Sequence, residues 1–90
     1  MMKFEWDNNK SVSNKKKHGI DFETAENLWQ DINRVEIATS YSEESRWIII
    51  GKVNDKPWTA IYTIRKNSVR IISVRRSREK EVKLYEEKFS

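Results

Sequence analysis

Cysteine is absent from this chain, which excludes disulfide staples, a zinc-thiolate site and a cysteine nucleophile. Proline occurs once and glycine twice, so there is no Gly-rich phosphate loop, no flexible linker and no low-complexity segment. His18 is the only histidine, and no Asp or Glu triplet clusters around it, so no metal-ligand set is recognisable and no cofactor is expected. Long apolar runs are missing too. The longest, Trp47 to Ile50, is far too short to cross a bilayer, and the opening Met1-Met2-Lys3-Phe4-Glu5-Trp6-Asp7 lacks the apolar core of a signal peptide. No membrane contact and a cytoplasmic location are expected.

What is present is positive charge. Eighteen Lys and Arg stand against fourteen Asp and Glu, a net charge of +4 that favours an anionic partner such as nucleic acid or an acidic protein. Ninety residues fit one domain, 1–90, with one sheet and a few helices around a small core.

The pattern along the chain predicts the elements. Phe4-Glu5-Trp6 reads as a short strand, and Asp7 as the N-cap of a helix from about Asn8 to Lys17. Lys15-Lys16-Lys17-His18 opposes the negative end of that helix dipole, and Gly19 suits the left-handed residue past its end. Asp21 can cap a second helix, Phe22 to Trp29, whose Phe22, Ala25, Leu28 and Trp29 share an apolar face. Arg34–Thr39, Arg46–Val53, Trp58–Arg65 and Val69–Arg76 are rich in β-branched and aromatic residues and read as four successive antiparallel strands. Asn54-Asp55-Lys56-Pro57 and Lys66-Asn67-Ser68 supply hairpin turns. Ser77 can cap a last helix through about Lys88, with Val82, Tyr85 and Phe89 as its apolar stripe. Strands in a block indicate the α+β class: an antiparallel sheet of about four to five strands with N-terminal helices and a C-terminal helix, one sheet face covered and the other open.

Arginines concentrate near strand ends: Arg65 closes one strand, and Arg75, Arg76 and Arg78 cluster where the last strand passes into the last helix. Guanidinium stays protonated and presents a planar fork of donors that matches phosphate oxygens. Such a cluster can hold an RNA backbone or stabilise a phosphorane-like transition state. Equally, these arginines can be solvated, or can pair with Glu79, Glu81, Glu86 and Glu87 on the adjoining helix. Simple alternation along Val69–Arg76 sends Ser73 and Arg75 to one face and Arg70 and Arg76 to the other. His18 has the only side chain that titrates near neutrality unperturbed, yet a place beside a C-cap glycine explains it structurally. Glu5 and Asp7 can share a side of an extended segment, although Asp7 has its capping duty. Tyr62 and Tyr85 can stack on a base or donate a proton, or simply belong to the core, and Trp6, Trp29, Trp47 and Trp58 pose the same choice.

Phe4-Glu5-Trp6-Asp7, Lys10, Asn14 and Lys17-His18-Gly19-Ile20-Asp21-Phe22-Glu23 with Ala25, taken in order, resemble the N-terminal signature of BrnT-type toxins. Arg46-Trp47-Ile48-Ile49-Ile50-Gly51, Tyr62-Thr63-Ile64-Arg65 and Arg70-Ile71-Ile72-Ser73-Val74-Arg75, followed by a Glu-rich helix with Tyr85, continue the resemblance over nearly the whole chain. Val74 and Ser77 stand where alanine is common, and Tyr41–Ser45 is a shorter, less acidic loop than many members carry.

The resemblance implies a RelE-like fold, metal-independent RNA cleavage that arrests translation, and a cognate BrnA-type antitoxin of the ribbon-helix-helix class, with DNA contacted only through the complex. Carried onto matching positions, it makes Arg65 and Arg75 phosphate-binding or transition-state groups with His18 or Lys17 near the RNA. Arg76, Arg78, Lys10 and Tyr62 are then further RNA contacts, although Arg70 and Arg76 can instead hold helices or antitoxin. The competing reading is a non-catalytic binding module in an operon-repressing complex.

Overall fold

The computed structural model describes residues 2–39 and 45–87. The Tyr41–Glu44 part of the loop noted above, and the Lys88–Phe89 end of the last helix, lie outside the described residues. The elements follow in the order β1 (Lys3–Glu5), α1 (Asn8–His18), α2 (Phe22–Ala25) with a 3-10 turn (Glu26–Gln30), β2 (Val35–Thr39), β3 (Arg46–Val53), β4 (Lys56–Arg65), β5 (Ser68–Arg76) and α3 (Glu79–Glu87). This is the expected α+β arrangement. The five strands lie in the order β1-β5-β4-β3-β2. The sheet is mixed, because β1 adds in parallel beside β5 through Lys3–Ser68, Phe4–Val69 and Glu5–Arg70, whereas all other pairs are antiparallel.

Both β3–β4 and β4–β5 turn through two residues with left-handed backbones, Asn54–Asp55 at φ 52 and 67 and Lys66–Asn67 at φ 49 and 67. Positive φ at both central residues gives hairpins whose twist matches that of the strands. The first turn is therefore tighter than Asn54–Pro57: Pro57 already lies in β4, opposite Lys52 near its start.

Register assigns the core. Trp47, Ile49, Gly51 and Val53 of β3 align with Tyr62, Ala60, Trp58 and Lys56 of β4, so their odd and even positions share one face. On that face Ile49, Ala60, Tyr62, Ile71 and Val74 are buried against Ile20, Phe22, Ala25, Leu28 and Trp29. The predicted apolar face of the second helix is thus core, although its second half tightens into the 3-10 turn. Burial of each large apolar side chain contributes about 1.5–3 kcal/mol. A Cβ at Gly51 would meet the Leu28 methyl at 3.2 Å and the Asp31 carboxylate at 3.3 Å, so any side chain there would push these two neighbours back by a few tenths of an ångström.

Helix α1 carries almost no apolar residue and docks through polar ones. Its first turn is capped by Asp7, which accepts from the Asn9 and Lys10 amides at 2.9 and 3.4 Å, and it stops at Gly19 with φ 84. Ser11 Oγ accepts from the Phe22 amide at 2.9 Å, while the Asn14 amide donates to Ile20 O at 2.8 Å and Val74 O at 2.9 Å and accepts from Val74 N at 3.2 Å. Asn14 thereby acts as a one-residue strand along the part of β5 that β1 does not reach.

The opposite face is only half open, which modifies the expectation of one bare face. Helix α3 crosses the end that carries Thr59 and Arg75. Its N-cap is Arg78, one residue later than expected, because Arg78 O accepts from the Glu81 and Val82 amides and the Glu81 carboxylate reaches back to the Arg78 amide at 2.7 Å. Ser77 Oγ instead meets Thr59 Oγ1 at 2.8 Å. Farther along, buried Tyr85 donates to Asp31 Oδ2 at 2.6 Å, where Asp31 also accepts from the Lys52 amide at the β3 edge beyond the reach of β2. Burial and the Asp31 contact push the Tyr85 phenol up to about 12.

Candidate nucleic-acid interface

A β-bulge decides which arginines share the uncovered face. The β4–β5 register runs Ile61–Ser73 and then Tyr62–Ile71, leaving Ile72 as an extra residue. Each such insertion reverses the side-chain phase. Simple alternation, which separates Arg70 from Arg75, is thus corrected: Arg70 pairs with Thr63 and Arg75 with Thr59, and both point away from the core, as Arg65 does on β4. Arg46 joins them from β3, one step beyond the Trp47–Tyr62 pair.

Two adjoining grooves result. The smaller, of about 190 Å3, is lined by Lys10, Arg46, Thr63, Arg65, Arg70 and Ile72. Four cations contributed by α1, β3, β4 and β5 converge there. Arg70 has a loose ion pair with Glu5 at 3.8 Å, with both side chains half-buried. Arg46 Nε is buried and has no hydrogen-bond partner among the described residues. Like charges gathered at a sheet surface repel one another unless an anion sits among them. Thr63 Oγ1 is turned away from the cations, donating to Ser45 O at 2.6 Å. The larger groove, of about 580 Å3, shares Arg46 and is lined further by Thr39, Ile48, Ile61, Arg75, Arg78 and Glu81.

Arg75 is committed differently from Arg65. Its two terminal nitrogens grip the Glu81 carboxylate at 2.7 Å each, and Thr59 and the Arg78 amide complete the carboxylate's shell at 3.1 and 2.7 Å. This is the pairing with the adjoining helix that the sequence left open. The Glu81 hydrogen bond holds the Arg75 guanidinium above its ordinary value. Burial would raise the Glu81 carboxyl, but the hydrogen bonds from Arg75, the Arg78 amide and Thr59 outweigh it and bring it down to about 2. A carboxyl depressed on folding contributes stability that is present above its unfolded value and lost as pH falls through the folded one. The α3 clasp should therefore weaken between about pH 4.5 and 2. Asp31, lowered by its hydrogen bonds from Tyr85, Lys52 and Asn33 despite burial, titrates in the same direction. Acid-induced loss of thermal stability is expected to be smaller in Glu81→Gln than in the wild-type chain; equal slopes from pH 5 to 2 would show that the clasp contributes nothing.

The sequence-predicted residues separate. Arg65 and Arg75 share a face, but Arg75 lies opposite Thr59, six residues from Arg65 along β4, or roughly 20 Å at strand rise. Lys10 joins Arg65 in the smaller groove and Arg78 joins Arg75 in the larger. Lys17 and His18 sit exposed in the last turn of α1 and line neither groove. Arg76 points to the helix-bearing face, its guanidinium 5.4 Å from the Trp58 ring and its Nε donating to Pro57 O at 3.3 Å. Tyr62 is 3% exposed, in edge contact with Trp29 and stacked on Trp47. Its hydroxyl donates to Glu36, and burial reinforced by that carboxylate raises its pKa strongly. Tyr62 thus has a core role in this arrangement. The residue that sequence reasoning passed over as a site candidate is Arg46, although the alternation Trp47, Ile49, Gly51, Val53 already places it with the outward set.

Among the described residues no group of three or more His, Cys, Asp or Glu could share a metal ion, and no helix is long and apolar enough to cross a membrane. A small α+β domain with an arginine-lined, partly uncovered sheet face has electrostatics suited to phosphate polyanions. The family comparison gives the class its particular form: residues 6–81 match the model of the BrnT ribonuclease toxin of type II toxin-antitoxin systems, and the chain belongs to that family. It is thus a ribonuclease toxin with an RNA substrate and a cognate protein antitoxin. A search of curated proteins finds no match.

Proposed function

We propose that RNA lies across the uncovered half of the sheet, with the scissile phosphate held by Arg46, Arg65 and Arg70 and the neighbouring backbone by Lys10, and that cleavage needs no metal. The observation that carries this reading is the convergence of those four cations in one groove, with no carboxylate among its described lining residues and only the loose Glu5 contact to Arg70. In this reading the ribose 2′-hydroxyl oxygen forms a bond to the adjacent phosphorus, and the bond from phosphorus to the 5′-oxygen breaks. The hydroxyl proton passes to solvent, and a solvent proton reaches the leaving oxygen. The products are a 2′,3′-cyclic phosphate and a 5′-hydroxyl end. Fixed guanidinium donors aimed at the equatorial oxygens stabilise the charge that develops as the bond forms. They also disfavour a divalent cation in the same groove by direct repulsion.

The resulting translational arrest is relieved in this reading by a BrnA-type ribbon-helix-helix antitoxin, through which alone the complex contacts DNA. The test is incubation of the purified chain with a defined RNA in excess EDTA, followed by end-group analysis. Cleavage leaving 2′,3′-cyclic phosphate ends is expected. Dependence on added Mg2+ would refute metal independence, and binding without any cleavage would favour the non-catalytic module.

A further inference from the structure

The larger groove has a different chemistry from its neighbour. Its floor is apolar: Ile48 and Ile61 are paired directly across β3 and β4, both partly exposed on the outward face. Its polar rim is almost entirely donors, Arg46 at one end and Arg75 and Arg78 at the other. The single carboxylate among its described lining residues, Glu81, has its oxygens occupied by Arg75, Thr59 and the Arg78 amide. With Arg75 itself held by Glu81, what remains to greet a ligand is a hydrocarbon floor with the Arg46 and Arg78 guanidinium groups at its ends. Arg78 is exposed, and its own amide is pinned by Glu81, which fixes where its side chain starts.

We propose that this groove seats one unpaired nucleobase of the bound RNA, guanine in preference to the other three, with Arg78 reading its edge. The inference rests on the placement of RNA described above, because Arg46 belongs to both grooves and ties the base seat to the phosphate seat. A planar base lies on a hydrophobic strand floor by its π-face, which is open only when the base is unstacked. Guanine presents two adjacent acceptors on its Hoogsteen edge, O6 and N7, that match the fork of an arginine, and its two-ring face covers more of the floor than cytosine, whose acceptors O2 and N3 lie beside the glycosidic bond. Adenine would turn its amino donor, beside N7, toward guanidinium, leaving a donor facing donors. The groove therefore selects single-stranded RNA and biases which nucleotide sits beside the reacting phosphate.

The test uses the purified chain with 13C-labelled isoleucine methyls, titrated separately with GMP, AMP, CMP, UMP and inorganic phosphate. GMP is expected to shift the Ile48 and Ile61 methyls and to bind about tenfold more tightly than AMP or CMP, the lower end of what a bidentate arginine contact discriminates. Inorganic phosphate is expected to leave those methyls in place. Arg78→Lys, which keeps the charge but loses the fork, should bring the four nucleotides to similar affinity while phosphate binding persists. Methyls unmoved by every nucleotide, methyls moved equally by phosphate, or any other base binding as tightly as GMP would overturn the proposal. Failure of the wild-type chain to cleave RNA would instead count against the ribonuclease reading, and the nucleotide titration remains decisive for the base seat either way.

Discussion

Arg65→Ala is expected to lower the rate of RNA cleavage about a hundredfold while leaving the fold intact, because removing one preorganised donor from a developing oxyanion costs 10²–10³ in rate. The side chain is exposed at the end of β4 and forms no ion pair among the described residues, so its loss should change stability by no more than about 0.5 kcal/mol. Arg65→Lys keeps the charge and loses the planar fork, and should fall between the two. The comparison with Arg75→Ala is informative. On sequence grounds Arg75→Ala abolishes cleavage without unfolding the chain. With Arg75 holding Glu81 by two hydrogen bonds, its removal strands a carboxylate whose side chain is only 15% exposed. Arg75→Ala should therefore destabilise the chain by about 1–3 kcal/mol, a fraction of the penalty for a fully buried broken pair. The double variant Arg75→Ala/Glu81→Ala should recover part of that loss. If Arg65→Ala cleaves at the wild-type rate, the smaller groove is not the reacting site; if Arg75→Ala is both fully stable and inactive, Arg75 acts on RNA directly.

Much of the fold was legible because local signals agreed. Asp7, Asp21 and Gly19 mark helix ends by side-chain or backbone chemistry that needs no tertiary context, and each does so in the structure. The four β-rich segments and the apolar positions Phe22, Ala25, Leu28 and Trp29 follow from period alone. The site was less legible because it depends on phase. One extra residue at Ile72, invisible in a run of β-branched side chains, moves Arg70 to the face of Arg75. Nothing local distinguishes Arg75, clasped by a glutamate from α3, from Arg65, which reaches a groove. That difference is fixed by where a helix docks, and docking depends on Tyr85 meeting Asp31 some fifty-four residues earlier. The parallel seat of β1 is equally non-local: three residues gain their partners only after β5 exists.

Asn14→Ala is expected to destabilise the chain by about 3–5 kcal/mol, the largest effect on stability of any single polar substitution considered. The side chain is 6% exposed and serves three backbone groups: Ile20 O, Val74 O and Val74 N. An alanine leaves all three buried and without that partner, at about 1–3 kcal/mol each before water enters or the helix shifts. Since a domain of this size holds only about 5–13 kcal/mol in total, at 0.05–0.15 kcal/mol per residue, the loss consumes a large share of the native margin. Asn14→Asp is a sharper probe. Its carboxylate can still accept from Val74 N–H but faces the two carbonyl oxygens with charge instead of donors, so it should be no better than alanine at neutral pH. Urea midpoints at unchanged slope measure both. A loss under about 1 kcal/mol for alanine would mean that α1 is held in place by other contacts. The consequence reaches the site, because Asn14 grips Val74 two residues beyond the bulge at Ile72 and one before Arg75. It pins the strand immediately after its phase reverses, and with that phase it sets which face Arg75 presents. Partial unfolding of this edge should therefore disturb both grooves before it disturbs the core beneath β3 and β4.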